Sequence, residues 1–253
     1  TSSIKFRDHV EDAKTVARRL GVAFLLEGSV RRSGDVVRIA AELIDGTTGF
    51  SRWANSFDRT IKDIFAVQSE IANAVASALV EEVAADGGQA PNIEAPTSGG
   101  THNVAAFDAY LRGKALYSLH ADEKTYREAL AQFDAAIDED PKYAAAYSAR
   151  ARSLTSIANQ YATADQFIAL YGEAEAAARK AVSLAPRYAD AQSTLGVVLF
   201  QGKLDFRGAR HPFEVSRRLG PGDANVLARF ATFCSAVGRF NEATEAMSRA
   251  LKL

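Results

Sequence analysis

The stretches that decide the fold are Asp140-Pro141-Lys142-Tyr143-Ala144 and Ala185-Pro186-Arg187-Tyr188-Ala189, which are near copies of each other. A looser third copy, Gly220-Pro221-Gly222-Asp223-Ala224, follows. The three prolines lie 45 and 35 residues apart, and each follows an alanine-rich stretch of helical period. Because proline ends a helix and a recurring period of this length is typical of repeat arrays, the pattern predicts successive helix pairs.

Alanine is concentrated in the same part of the chain. The 253 residues include 49 alanines, of which 34 lie in residues 103–253. Alanine has the highest helix propensity, and its small side chain lets two helices cross closely. We therefore predict about four helix hairpins, over residues 103–143, 144–188, 189–223 and 224–253.

Residues 1–86 show other periods. Helical spacing ends at Gly21, alternating apolar residues separated by turn signals follow, and a second helical pattern comes last. The predicted elements are a helix over 10–20, strands over 22–32, 36–45 and 50–58, and a helix over 64–83. The order predicts a short α+β domain with a three-stranded antiparallel meander. A Gly/Pro/Ser-rich stretch over 87–102 predicts a linker. The fold class is thus mainly α: this α+β domain followed by an α-solenoid.

Charge and cysteine content exclude several classes of protein. The chain carries 30 basic and 31 acidic residues, for a net charge of −1. This balance argues against nucleic-acid or acidic-membrane binding by the chain, which would need a basic excess. The single cysteine, Cys234, excludes an internal disulfide framework and favours a reducing, cytoplasmic location. The longest dense apolar stretch, residues 22–26, is far shorter than a membrane-spanning helix, so we expect no membrane segment.

The repeat region resembles tetratricopeptide repeats (TPR), in which small residues meet at the helix crossing and proline follows the second helix. The residues that carry the resemblance are Ala129, Phe133, Ala136 and Pro141; Ala151, Ala174, Ala178, Ala181 and Pro186; Leu195, Gly196, Ala209, Phe213 and Pro221; and Leu227, Ala231, Ala243 and Met247. The resemblance implies an α-solenoid that binds a protein or peptide partner.

The first zone resembles the second half of a bacterial TolB-like amino-terminal domain that precedes tetratricopeptide repeats. The matching segments are 17–22, 26–32 and 43–49, followed by Trp53-Ala54, Phe57-Asp58 and Asp63-Ile64-Phe65. This resemblance implies a longer protein with an upstream output domain, either a class III adenylate/guanylate cyclase or a winged-helix transcription regulator.

The sequence predicts no catalytic, cofactor or metal site. His9, His102, His120 and His211 are scattered without the spacing of metal ligands, and Cys234 falls in a core-facing position of the last hairpin. Phosphate-binding and nucleophile-elbow motifs are absent. We therefore expect no enzyme activity from this stretch of chain, and leave the activity of a longer protein, including adenylate cyclase, open.

The concave face of a helix-repeat array is lined by the first helix of each hairpin. The residues predicted on that face are Arg112, Ser148, Arg152, Thr155, Asp190, Ser193, Val197, Phe200, Asn225 and Thr232. This set is mixed and weakly polar, without the Lys/Asn set with which repeat cochaperones clamp a C-terminal carboxylate.

The function predicted from these features is a non-catalytic protein-interaction or sensory scaffold within a larger bacterial signalling protein. The alternatives are the regulatory half of a class III cyclase or of a winged-helix regulator. Self-association into a homo-oligomer is a further expectation, because an unpaired sheet edge and an open last repeat would expose apolar surface.

Overall fold

The computed structural model describes residues 12–60, 70–71, 74–75, 77–78 and 99–253. The chain divides into two compact units, Thr1–Pro96 and Thr97–Leu253, and each is treated by itself below.

The first unit begins with a short helix and continues as a meander. Its elements are α1 (Ala13–Leu20), β1 (Phe24–Ser33), β2 (Val36–Asp45) and β3 (Ser51–Thr60). The Asp12 carboxylate caps α1 by accepting the Thr15 backbone N–H at 2.9 Å. Gly21 ends the helix in the left-handed conformation, with φ of 67°, which glycine adopts at little cost.

The sheet has the order β1-β2-β3, and both pairs are antiparallel. The central strand β2 carries most of the core, because Val37, Ala41 and Leu43 alternate onto one buried face. Phe57 of β3 lies opposite Ile39 and joins that face. Of the second helix predicted over 64–83, only residues 70–71, 74–75 and 77–78 are described, and these are helical.

The second unit is an array of helix hairpins. Its helices are α2 (Val104–Ser118), α3 (Glu123–Glu139), α4 (Ala144–Gln160), α5 (Ala164–Leu184), α6 (Ala189–Val197), α7 (Phe206–Leu219), α8 (Ala224–Ala236) and α9 (Phe240–Ala250). The pairs α2/α3, α4/α5, α6/α7 and α8/α9 form hairpins one to four. The predicted fold class, an α+β unit followed by an α-solenoid of about four hairpins, is confirmed.

Small residues lie where the helices cross. The fully buried alanines of the array's two apolar clusters include Ala129, Ala151, Ala174 and Ala209. The extra residues of the second hairpin, which break the 34-residue period, extend α4 and α5 rather than forming a long loop.

The amino end of this unit is anchored by residues that precede its first helix. The Ala145 backbone N–H donates to the Gly99 carbonyl at 2.9 Å, and the Thr101 hydroxyl donates to the Asp140 carboxylate. Residues 99–102, which end the predicted linker, therefore contact the helical unit. Residues 87–98 lie outside the described part of the chain.

The third hairpin is the irregular one. Its first helix, α6, continues into a π-helical turn, Val198–Gly202, and Pro212 lies inside α7. Leu204, in the loop that follows, is exposed and has a positive φ of 51°. Such π-helical turns change the direction of the side chains on a helix and occur often at functional sites. Here the turn sets the positions of Phe200 and Gln201.

Candidate functional site

A cleft of about 240 Å³ opens on the first helices of hairpins two, three and four. Its walls come from α4, from α6 with its π-helical turn, and from α8, while the end of α2 adds Tyr117. The lining residues are Tyr117, Arg152, Thr155, Ser156, Asn159, Thr194, Val197, Phe200, Gln201, Arg229 and Thr232. The cleft thus spans three successive repeats.

An ionic network lies at one end of this cleft, centred on Asp190 at the start of α6. One oxygen of the Asp190 carboxylate accepts the Arg229 guanidinium N–H at 2.9 Å. The other oxygen accepts the Ser148 hydroxyl at 2.7 Å and a guanidinium N–H of Arg152. We call Arg152, Asp190 and Arg229 the Arg–Asp–Arg triad. It connects α4, α6 and α8.

Hydroxyl groups complete the surroundings of the triad. Ser148 and Thr194 are hydrogen bonded at 2.9 Å, and Ser193 accepts a longer bond of 3.4 Å from Arg229. Ser148 and Ser193 are fully buried. Buried polar groups need hydrogen-bond partners, and both serines find theirs among the residues of this network.

Burial and opposite charge act against each other on these groups. Burial raises the pKa of the Asp190 carboxyl, but the Arg152 and Arg229 guanidiniums lower it more strongly, so that it lies well below its usual range. Burial likewise lowers the pKa of Arg152, but the Asp190 carboxylate more than offsets this, and the net pKa is raised. Asp190 is therefore ionised at neutral pH, and one carboxylate beside two guanidiniums gives the triad a net charge of +1.

The other end of the cleft presents side-chain amides. The Tyr171 hydroxyl donates to the Asn159 side-chain carbonyl at 2.9 Å, and the Asn159 amide donates to the Gln201 carbonyl at 3.2 Å. A Cβ at Gly202 would lie 1.9 Å from the Tyr171 ring, so glycine at this position lets the ring reach under the π-helical turn. The tyrosine thus orients the Asn159 amide, which in turn donates to Gln201.

An apolar wall separates the two polar ends. Val197 and Phe200 line it, and the Phe200 ring packs edge-on against Phe233 with centroids 5.8 Å apart. A second edge-on contact, with Phe206, has centroids 5.6 Å apart. Rings held from two sides have few alternative rotamers, so this wall is preorganised.

The structure brings most of the predicted concave-face residues together. Arg152, Thr155, Val197, Phe200 and Thr232 line the cleft, and Ser148, Asp190 and Ser193 lie in the network at its end. The other two do not line it. Arg112 is exposed and pairs with Asp108 at 2.9 Å along α2, and Asn225 lies at the start of α8, outside the cleft.

Six residues that line the cleft were not predicted from the sequence: Arg229, Tyr117, Ser156, Asn159, Thr194 and Gln201. Arg229 had a usable signal, because it lies four residues after Asn225 and three before Thr232, on one helix face. No sequence signal indicated Gln201, because its side chain would point elsewhere if α6 continued as a straight α-helix instead of a π-helical turn.

Among the described residues, the cysteine and the potential metal ligands do not form a second site. Cys234 is fully buried, and burial raises the pKa of its thiol, which makes it a poor nucleophile. Within the described residues, no group of three or more His, Cys, Asp or Glu side chains is arranged to hold a metal ion. Among the same residues, no helix has the length and apolar content needed to cross a membrane.

Comparison with known proteins finds a curated relative. The chain is 35% identical over 179 residues to "Putative adenylate cyclase 3" of Rhizobium meliloti (strain 1021). The match covers 70% of this chain but only 30% of that protein. No protein-family model matches the chain.

Three solved structures align with part of this chain at low sequence identity. A thermophilic TPR protein of Thermus thermophilus is 18% identical, with a TM-score of 0.41, over 58% of this chain and 91% of that one. The Sgt2 TPR domain of Aspergillus fumigatus is 20% identical, with a TM-score of 0.44, over 58% and 87%. MamA of Desulfovibrio magneticus RS-1 is 19% identical, with a TM-score of 0.41, over 58% and 75%. The repeat architecture rests on the chain's own helix pairs.

Proposed function

We propose that this chain is a non-catalytic protein-interaction module of a larger bacterial signalling protein, and that the cleft is its partner-binding face. The observation that carries the proposal is the cleft itself, in which two polar ends flank a preorganised apolar wall across three successive repeats. Extended or helical segments of partner proteins bind grooves of this kind through apolar anchors and a few placed polar groups. A cytoplasmic location and a TolB-like first unit are part of the same proposal.

Site-directed photo-crosslinking tests this function. A photoreactive phenylalanine analogue replaces Phe200 in the cleft, and a matched control carries the same analogue at Ile168 of α5, which is exposed and does not line the cleft. We expect one discrete protein adduct from position 200 in bacterial cells and none from position 168. Absence of adducts at both positions, or the same adduct from both, would contradict the proposal.

The second candidate is the regulatory half of a class III adenylate cyclase. The relative named as a putative adenylate cyclase favours it, since this chain matches less than a third of that protein's length. Reading the gene on the 5′ side of the Thr1 codon is the direct test, with a cyclase catalytic sequence as the supporting result. Formation of cyclic AMP by the present chain alone would contradict both candidates.

A further inference from the structure

We propose that the Arg–Asp–Arg triad is a carboxylate-binding subsite for an acidic side chain of the partner, in which Asp190 acts as a built-in competitor. The proposal rests on the proposed function, because it assigns the chemistry of one end of the same cleft. It commits to a glutamate or aspartate side chain within a partner segment, rather than to a chain terminus or a free metabolite.

The first argument is charge. Two guanidiniums share the single Asp190 carboxylate, and the remaining residues that line the cleft are neutral. The side chains of Arg152 and Arg229 are only 18% and 25% exposed. A net positive charge with so little access to water favours a second anion more strongly than the same charge on an open surface.

The second argument is that the triad leaves donors of its arginines unused. Arg152 directs one terminal nitrogen to both Asp190 and Ser148. Arg229 uses one terminal nitrogen for Asp190 and Ser193, and its Nε and second terminal nitrogen have no hydrogen-bond acceptor among the described residues. A guanidinium offers five N–H donors in a planar fork, so Arg229 retains donors for a second carboxylate.

The third argument is size. A volume of about 240 Å³ is below the range of pockets that enclose whole small molecules, and suits one side chain of a longer segment. Val197 and Phe200 would contact the methylene groups of that side chain, while the amides of Asn159 and Gln201 would be left for the partner's backbone. The cleft therefore fits an acidic side chain presented by a peptide.

Titration of the intact chain by NMR tests the subsite. The probe is N-acetyl-glutamate N-methylamide, and the signal is the Arg229 side-chain Nε–H resonance. Two further compounds are compared: the neutral N-acetyl-glutamine N-methylamide and N-acetylalanine, which carries only a terminal carboxylate. We expect a saturable shift with the glutamate compound, and affinities lower by about tenfold or more with the glutamine compound. Equal affinity for the glutamate and glutamine compounds, or tighter binding of N-acetylalanine than of the glutamate compound, would overturn the proposal.

Four variants connect the signal to the triad, and probe binding to them is followed through the backbone amides of α8. Arg229→Gln should abolish binding of the glutamate compound, whereas the control Arg112→Gln, on the exposed face of α2, should leave it unchanged. Asp190→Asn should bind the probe about tenfold more tightly, because the competing carboxylate is gone. Unchanged affinity in Arg229→Gln would overturn the subsite. Unchanged affinity in a folded Asp190→Asn would overturn the competitor role of Asp190. If Asp190→Asn does not fold, Arg229→Gln decides the subsite and Asp190→Glu, which keeps the charge and should not tighten binding, decides the competitor role.

Failure of this inference is distinguishable from failure of the proposed function. A partner crosslinked at position 200, together with no carboxylate binding at Arg229, would leave the interaction function in place and remove the subsite. Carboxylate binding without any crosslinked partner would remove the interaction function.

Discussion

At the scale of single residues, glycine decides how closely two helices of a hairpin pack. A Cβ built at Gly113 of α2 would lie 2.6 Å from the ring of Phe133 on α3, and one built at Gly196 of α6 would lie 2.9 Å from the ring of Phe213 on α7. In both hairpins a missing side chain on the first helix makes room for an aromatic ring on the second. At these two helix crossings, a glycine packed against a phenylalanine ring takes the place of two small residues in contact.

Replacing Gly113 by alanine should therefore destabilise the helical unit. Overpacking a filled crossing costs ~1–3 kcal/mol, which exceeds the ~1 kcal/mol that alanine gains over glycine in a helix. Gly172→Ala in α5 is the control, because nothing lies within 4 Å of its added Cβ, and it should stabilise by up to ~1 kcal/mol. Urea unfolding followed by circular dichroism at 222 nm measures both. A stabilised Gly113→Ala would show that the Phe133 ring moves freely.

Sequence patterns indicated which helix faces carry the candidate site, but not which side chains interact there. Repeat spacing placed Arg152, Asp190 and Phe200 on one surface, because helix period and hairpin register depend on small residues and prolines that are visible in the chain. The ionic pairing of Asp190 with Arg229 was not predicted, since those residues are 39 positions apart and their contact depends on how two successive hairpins stack. Local patterns carry little information on that stacking.

At the scale of elements, the turn between β2 and β3 is built around Asp45. Its carboxylate accepts the backbone N–H groups of Thr47 and Thr48, each at 2.8 Å, and pairs with Arg52 at 2.8 Å. The Thr48 N–H bond, followed by the Arg52 guanidinium, lowers the pKa of Asp45 to about 2. One side chain thus fixes a turn in which Gly49 has a φ of 75°.

Stability of the sheet unit should depend on Asp45 ionisation. Because the folded pKa lies below the ordinary value of about 3.9, its contribution is fully present above pH ~4 and is lost as the pH falls through about 2. The Asp45→Asn variant should be less stable than wild type at pH 7, and the difference should disappear near pH 2. Fluorescence of Trp53, the only tryptophan, reports urea unfolding of this unit. A pH-independent difference, or the same effect from Asp35→Asn at the exposed neighbouring turn, would contradict this role.

Element boundaries show where sequence patterns are informative. The β2 strand begins and ends at the predicted residues, and β1 and β3 agree within two residues at each end, because alternation and turn residues define a meander locally. The π-helical turn after α6 was not predicted. Its residues, Val198–Gly202, are ordinary helix formers apart from the glycine, and the turn goes with the packing of the Tyr171 ring against Gly202. Such a tertiary contact has no counterpart in local propensity.

At the scale of the whole molecule, an array of hairpins depends on contacts between neighbours, because no single hairpin buries its apolar surface alone. The Arg–Asp–Arg triad adds a polar connection to that apolar stacking, since it joins the first helices of three consecutive hairpins. The ion pair of Arg150 with Asp134 connects only two adjacent hairpins, and the Asp134 side chain is 45% exposed, against 17% for Asp190. The triad is therefore placed to set how the last three hairpins stack.

Removing the Asp190 charge should consequently destabilise the array far more than removing an exposed aspartate. Asp190→Asn leaves two largely buried guanidiniums without a counter-ion, at a cost of about 3 kcal/mol, whereas the control Asp134→Asn, whose side chain is 45% exposed, should cost less than ~1 kcal/mol. Because the folded pKa of Asp190 is lowered, the Asp190 difference should be complete above pH ~4 and shrink at lower pH. Urea unfolding at 222 nm between pH 3 and pH 7 measures both variants, with Trp53 fluorescence as the internal reference for the sheet unit. Equal costs for the two substitutions would mean that apolar packing alone sets the stacking of the hairpins.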